Sequence, residues 1–329
     1  MRQWWQQRGL AARLLWPLSQ LYRLLAAGQR LLYRQGWRTA QHPGVPVVVV
    51  GNVIAGGAGK TPVVMAVLRH LQAQGWQPGV VSRGYGRQTT DVRLVQPDSS
   101  AQAVGDEPLL IARTCQVPVA VARQRIAAAR QLRAQHPEVN IIICDDGLQH
   151  WALARDVEIC VFNEDGIGNG WLLPAGPLRE PWPRALDLLV YAGTAAPAGS
   201  SAPGFALQRQ LAPRAVRADG STVALSDLQG QALVAVAAIA RPERFFTMLE
   251  AQGLRLAQTV ALPDHFSFAA WHCPAPPGHI LLCTEKDAAK LWRYYPQALA
   301  VPLQLQLVPG FFSALDACLA RTLSSRSPS

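Results

Sequence analysis

Acidic residues are missing from the first 90 positions of this 329-residue chain; the first is Asp91. The same stretch holds 11 Lys and Arg, while the remainder carries 20 basic residues against 21 acidic ones. The whole positive excess therefore lies at one end, which calls for an anionic partner: nucleic acid, an anionic membrane or a phosphorylated ligand. Lysine is scarce as well, with only Lys60, Lys286 and Lys290 beside 28 arginines. Six cysteines are scattered without a C-x-x-C pair, which argues against a zinc site or a disulfide framework. Cys144 and Cys160 stand in apolar runs and read as small core residues. No stretch of about 18 apolar residues occurs, so no membrane-spanning helix is expected. Arginines interrupt every early apolar run, which speaks against a secretory signal. Charged residues make up only 16% and hydrophobic ones 50%, the composition of a folded chain long enough for two domains.

Within the first 38 residues, Leu14, Leu18, Leu21, Leu25 and Leu32 recur at helical spacing, with Arg13, Arg23, Arg30 and Arg34 between them. Trp4, Trp5, Trp16, Tyr22, Tyr33 and Trp37 add aromatic bulk, and Pro17 is expected to break or kink the first helix. Such a segment either packs its apolar face on its own domain or lies in a membrane interface. Strands and helices then alternate. Strands are predicted over 45–50, 79–82, 117–121, 139–144, 157–162 and 186–191, and helices over 62–74, 106–115 and 123–135. Apolar strands separated by helices predict an α/β fold, a mostly parallel sheet covered on both faces. The Pro/Gly-rich run "GTAAPAGSSAPG" marks a boundary. A second set follows, with strands near 232–238, 279–284 and 301–307 and helices near 241–252, 285–293 and 310–322. The division expected is an amphipathic segment 1–38, a core 39–192, a linker 193–230 and a smaller C-terminal α/β domain 231–329.

The chemistry begins at "VVVVGNVIAGGAGKTP". A buried strand, a glycine turn, Gly59-Lys60-Thr61 and a helix form the arrangement that cradles phosphate. Backbone N–H groups and the helix N-terminus face the anion, Lys60 reaches the terminal phosphates, and the Thr61 hydroxyl suits Mg²⁺. The strict pattern asks for glycine where Ile54 stands, and Gly56 and Gly57 supply the flexibility from other positions. "NIIICDDG" ends a strand in Asp145 and Asp146, where a phosphate site needs an oxygen ligand for Mg²⁺ or a base to hold water. "VGDEP" puts Asp106 and Glu107 at a helix start, which fits a capping role as well as a chemical one. "SRGYGR" places Arg83 and Arg87 on a glycine-rich loop. "GPLRE" offers the cation Arg179, and "LPDHFSF" sets His265 beside Asp264. In "CTEKDAAK" the spacing is wrong for a guanine-reading N-K-x-D, and Thr284 with Asp287 fits a helix capping box.

Taken in order, "GNVIAGGAGKTP", "SRGYGR", "VGDEP", "CDDGLQH", "GPLREP", "DHFSF" and "TEKDAAKL" resemble the tetraacyldisaccharide 4′-kinase family, the lipid A 4′-kinases of Gram-negative bacteria. The likeness runs from about residue 10 to 295, and the departure at Ile54 belongs to that family's variant loop. It implies a P-loop NTPase-like core and an N-terminal membrane-associating helix, which favours the interfacial reading. It also implies peripheral attachment to the cytoplasmic face of the inner membrane, with an anionic membrane surface as partner and no nucleic acid or obligate protein partner. The reaction implied is transfer of the ATP γ-phosphoryl group to the 4′-hydroxyl of a tetraacyldisaccharide 1-phosphate, the lipid A precursor. By the same resemblance Gly56, Gly57, Gly59, Lys60 and Thr61 hold ATP, and Thr61, Asp145, Asp146 and Glu107 serve Mg²⁺. Asp106 paired with His265 acts as base, and Arg179 steadies the transferred charge. The alternative is a P-loop GTPase or ATPase, a switch or insertase acting on a protein partner.

Overall fold

The computed structural model describes residues 5–264, 266–269, 271–308 and 310–326. His265 therefore lies outside the described residues, as does Trp4. The chain forms two compact units, one of residues 1–207 with 307–329 and one of residues 208–306.

The first unit opens with helix α1 (Leu10–Arg34), which runs without interruption through Pro17. The expected break does not occur. The proline ring removes one backbone donor, and side chains before and after it tie this part of the chain to one segment. Arg8 Nε donates to the Asn169 carbonyl at 3.0 Å and Ser19 Oγ to the Leu172 carbonyl at 2.9 Å. A parallel α/β array follows: β1 (Val47–Gly51), α2 (Lys60–Ala73), β2 (Pro78–Ser82), β3 (Arg93–Leu94), α3 (Ala101–Val104), α4 (Asp106–Cys115), β4 (Val119–Val121), α5 (Arg125–Gln135), β5 (Ile141–Asp145), β6 (Val157–Phe162), β7 (Leu188–Tyr191) and β8 (Gly204–Leu211). From β4 the sheet runs through β2, β5, β1, β6 and β7 to β8, all parallel, with β3 antiparallel at one edge. Each residue of β1, β2 and β5 is buried. Strands covered by helices on both faces are apolar throughout rather than alternating, which is why the valine run reads so clearly.

The second unit holds β9 (Arg214–Val216), β10 (Thr222–Ala224), β11 (Leu233–Ala237), α6 (Pro242–Ala251), β12 (Leu256–Ala261), β13 (Ile280–Thr284), α7 (Glu285–Leu291) and β14 (Leu299–Val301). Its sheet order is β10-β9-β14-β13-β11-β12. Along β11, Leu233, Ala235 and Ala237 enter one core while Val234 and Val236 enter another. The expected linker 193–230 thus carries β8, β9 and β10. β8 and β15 (Leu303–Leu307) are neighbouring strands, and they contain the two points, after Leu207 and before Leu307, at which the chain passes from one unit to the other. Helix α8 (Phe311–Arg326) then joins the first unit and meets α2, with His70 Nε2 2.8 Å from Asp316 Oδ1 and the His70 ring stacked on Phe312 at 4.5 Å. The capping reading of "CTEKDAAK" is observed: the Thr284 hydroxyl accepts the Asp287 N–H at 3.2 Å, starting α7.

Two glycines bring the "SRGYGR" and "VGDEP" loops together. A Cβ on Gly84 (φ +67°) would lie 2.6 Å from the Val104 carbonyl oxygen, and one on Gly105 (φ +96°) 3.1 Å from backbone atoms of Gly84 and Tyr85. Gly84→Ala combines a left-handed backbone with a backbone clash, so it is predicted to lower unfolding free energy by about 1–3 kcal/mol. Urea denaturation checks this, and an unchanged midpoint would dismiss the close approach.

Candidate active site

The parallel strands deliver their loops to one end of the sheet, where α/β proteins bind ligands. Val50 of β1 is level with Asp145 of β5, and Val81 of β2 with Cys144. Gly51, Ser82 and Asp145 consequently end their strands side by side. Gly51 admits the next turn closely: a Cβ there would meet Leu148 Cγ at 2.6 Å.

Beyond β1 the chain turns through Gly56 (φ +108°) and Gly59 (φ +75°), and α2 starts at Lys60. No side chain caps α2, and its first turn carries no acid. Its first N–H groups therefore lack the usual intrahelical partners and present a positive end to an anion. By contrast α4 begins with Asp106 and Glu107 in its first turn. The helix cap there is Gly105, so Asp106 is the first helical residue rather than the cap.

Asp145 and Asp146 face different surroundings. Asp145 is buried, its Oδ2 accepts from Ser82 Oγ at 3.3 Å, and its Oδ1 has no hydrogen-bonding partner among the described residues. Burial, reinforced by the negative charge of Glu107, pushes its carboxyl up to about 7 despite the opposing ammonium of Lys60. Asp146 sits in the left-handed region (φ 49°) and is met by cations. Arg179 Nη1 lies 3.0 Å from each of its carboxylate oxygens, and Lys60 Nζ lies 3.5 Å from Oδ1. Burial works to raise this carboxyl, but Lys60 and Arg179 outweigh it and hold it below the ordinary carboxylate range. Two cations on one carboxylate leave a unit of positive charge at the mouth of the glycine turn.

Arg179 reaches this place because "GPLRE" runs antiparallel to the start of the turn. Ile54 bridges Leu178, the Ala55 N–H donates to the Pro177 carbonyl at 2.7 Å, and the Arg179 N–H donates to the Val53 carbonyl at 2.7 Å. Several supporting residues have no sequence signal beyond their neighbours. Glu180 accepts from Gln149 Nε2 at 2.7 Å, and the same nitrogen reaches the Asn52 carbonyl at 3.0 Å. Arg125 is buried and donates through Nη2 to the Asp146 carbonyl at 3.2 Å. His150 accepts the Arg125 N–H at 3.2 Å; burial first, then Arg125, Arg155 and Arg83, push its imidazole down to about 4, so it stays neutral. Of the loop arginines, Arg87 is occupied with the Asp91 carbonyl at 2.8 Å, and Arg83 is exposed. In the second unit Asp264 pairs with Lys286 at 3.2 Å. Among the described residues no group of three or more His, Cys, Asp or Glu side chains is set to hold a metal. The orphaned oxygen of Asp145, with Glu107 nearby, nevertheless fits a hard cation whose other ligands would come from a hydroxyl and from phosphate oxygens.

A doubly covered parallel sheet, a left-handed glycine before an uncapped helix led by Lys60, and an acid pair on the neighbouring strand define a phosphate-loop nucleotide-binding protein of the α/β class. A model of the tetraacyldisaccharide-1-P 4′-kinase family matches residues 11–320. The chain is 63% identical to a tetraacyldisaccharide 4′-kinase of Verminephrobacter eiseniae, over 96% of this chain and 74% of that one. It is 61% identical to one of Acidovorax sp., over 98% and 94%. A crystal structure of LpxK from Aquifex aeolicus in complex with ATP superposes with a TM-score of 0.82 at 27% identity, covering 94% of this chain and 99% of that one. The chain belongs to the tetraacyldisaccharide 4′-kinase family.

Asp145→Asn is predicted to stabilise the ligand-free protein at pH 8 and much less at pH 4.5. The carboxyl is raised in the folded state, so its penalty is absent below its unfolded value and grows until pH passes about 7. A thermal scan should show Tm higher by at least about 3 °C at pH 8, and an equal gain at both pH values would contradict the assignment.

Proposed function

We propose that this chain transfers the γ-phosphoryl group of ATP to the 4′-hydroxyl of a tetraacyldisaccharide 1-phosphate. The observation that carries the reading is the convergence of Lys60 and Arg179 on Asp146 at the start of an uncapped helix. This is a preformed cationic seat that a triphosphate can take over. Gly56, Gly57 and Gly59 let backbone N–H groups approach the phosphates, Lys60 reaches the β- and γ-phosphates, and Arg179 steadies charge on the group in flight. Thr61, Asp145 and Glu107 would hold Mg²⁺, which when bound neutralises phosphate oxygens. Asp146, engaged by both cations, orients them and assists from the adjacent position. Asp106 with His265 is assigned to the acceptor proton: a carboxylate orients and charges an imidazole, which removes the hydroxyl proton. Support for this dyad is the family's pattern and the position of Asp106, one residue from the Glu107 whose charge reaches Asp145.

The acceptor is a lipid, and α1 suits a lipid surface. Most of its leucines point outward, with Leu10 79% and Leu14 73% exposed, whereas Ser19 and Ala12 are buried. An amphipathic helix packed on its own domain has the reverse arrangement. The first turn of α1 holds no acid and Arg34 closes its last turn, in keeping with an anionic headgroup layer. No helix among the described residues is long and apolar enough to cross a membrane. We place the protein peripherally on the cytoplasmic face of the inner membrane.

Incubation with Mg²⁺ and γ-labelled ATP should label a tetraacyldisaccharide 1-phosphate, and Lys60→Ala should reduce this by at least about 100-fold with the circular dichroism spectrum intact. Near-normal transfer by the variant would remove the phosphate-loop reading. Replacing Leu14, Leu18 and Leu21 together by serine should weaken binding to phosphatidylglycerol vesicles by more than about tenfold, since each buried leucine is worth about 1.5–3 kcal/mol. Vesicle flotation measures it, and unchanged partition would return α1 to a purely internal role.

A further inference from the structure

Helix α1 has an inner face as well as an outer one, and its inner contacts fall into two groups. The first group, Ser19 with Arg8 just ahead of the helix, holds the carbonyls of Leu172 and Asn169, in a segment that pairs with Leu178 and does not itself bond Arg179. The second group meets the residue that closes the cationic seat and its neighbour. Tyr22 Oη donates to the Arg179 carbonyl at 2.7 Å, and Arg30 Nη2 lies 3.3 Å from Glu180 Oε2. The backbone of Arg179 is thus gripped on both sides. Its N–H is bound to Val53 of the phosphate loop and its carbonyl to Tyr22 of α1, and between these two bonds its side chain extends to Asp146.

The clamp on Glu180 is equally built. Glu180 is buried and receives Gln149 and Arg184 from the core besides Arg30 from α1. Arg30, Arg155 and Arg184 lie over the Trp151 ring at 5.0, 5.2 and 5.5 Å, so Arg30 docks on a surface that holds a cation by both its charge pair and its aromatic face. A cleft of about 310 Å³, lined by Tyr22, Arg30, Trp151, Arg179 and Glu180 among others, lies along this contact. Water or ligand can therefore reach the contact, and the hydrogen bond from Tyr22 is what fixes the position of the Arg179 carbonyl on that side.

We propose that Tyr22, seconded by Arg30, is a positioning residue for phosphoryl transfer: docking of α1 sets Arg179 on Asp146, so the helix that faces the lipid also completes the cationic seat. This rests on the reading of Arg179 as a charge-stabilising residue. It differs from a role in lipid binding because its effect falls on kcat.

The test compares Tyr22→Phe, Ser19→Ala and Arg179→Ala in the full-length protein with vesicle-borne lipid acceptor. Tyr22→Phe and Ser19→Ala each delete one hydroxyl-to-carbonyl bond from the same helix, and Ser19 is the more buried, so its loss weakens helix anchoring at least as much. The expected result is a kcat about 5–10-fold lower for Tyr22→Phe, with the KM for lipid and vesicle flotation unchanged. Ser19→Ala should stay within about twofold, and Arg179→Ala should lose more than Tyr22→Phe. Equal losses for Ser19→Ala and Tyr22→Phe would reduce the effect to helix anchoring and overturn the proposal. A raised KM for lipid with unchanged kcat would make Tyr22 a substrate contact and overturn it too. An unimpaired Tyr22→Phe beside an impaired Arg179→Ala sinks the positioning role alone. An unimpaired Arg179→Ala sinks the reading of Arg179 and this proposal with it.

Discussion

Two adjacent carboxylates at the end of one buried strand cannot both be left charged without help, and the site is organised around that constraint. Asp146 is relieved by Lys60 and Arg179. Asp145 is only partly relieved: burial and Glu107 oppose its charge more than Lys60 and Ser82 favour it, and one of its oxygens lacks a partner among the described residues. On the proposed reading a divalent cation would supply what Asp145 lacks, and a triphosphate would compete with Asp146 for the two cations. The ligand-free protein would then hold each half of the site in a form that its ligand improves, so that binding energy is spent on assembly of the site.

This division of labour depends on residues far apart in sequence, and it marks how far the sequence can be read. The valine strand β1, the helix that starts at Lys60 and the acids at the end of β5 were legible because each is local: a fully apolar strand followed by a glycine turn or an acid pair. Register does the rest, setting Asp145 level with Val50. The contact between Arg179 and Asp146 was not legible. It needs the antiparallel bridge of Leu178 to Ile54, and a single bridge leaves no periodic pattern. Short or edge strands escaped for the same reason. β3 has two residues, β9 and β10 three each, and β12 is mostly exposed, so none presents the buried apolar run that signals a strand. Gln149 and Glu180 stand within recognisable stretches, but their mutual hydrogen bond becomes evident only once the chain is folded.

Helix α1 shows a different kind of limit. Its period was visible, but period alone does not say which face turns inward. The inner face is made of Ala12, Ser19, Tyr22 and Arg30, which use hydrogen bonds and an ion pair where a packed helix would use leucines. The continuity through Pro17 follows from the same contacts, since a helix tied at both ends tolerates one missing backbone bond.

The return of the chain at β15 has a consequence for how the protein is made. The phosphate-loop helix α2 is made within the first quarter of the sequence, yet His70 near its end is braced by Phe312 and Asp316 from α8. A chain stalled before α8 is made lacks that brace, because the contact joins residues far apart in sequence. A product cut short ahead of α8 would leave unsupported the far end of the very helix whose first residue is Lys60.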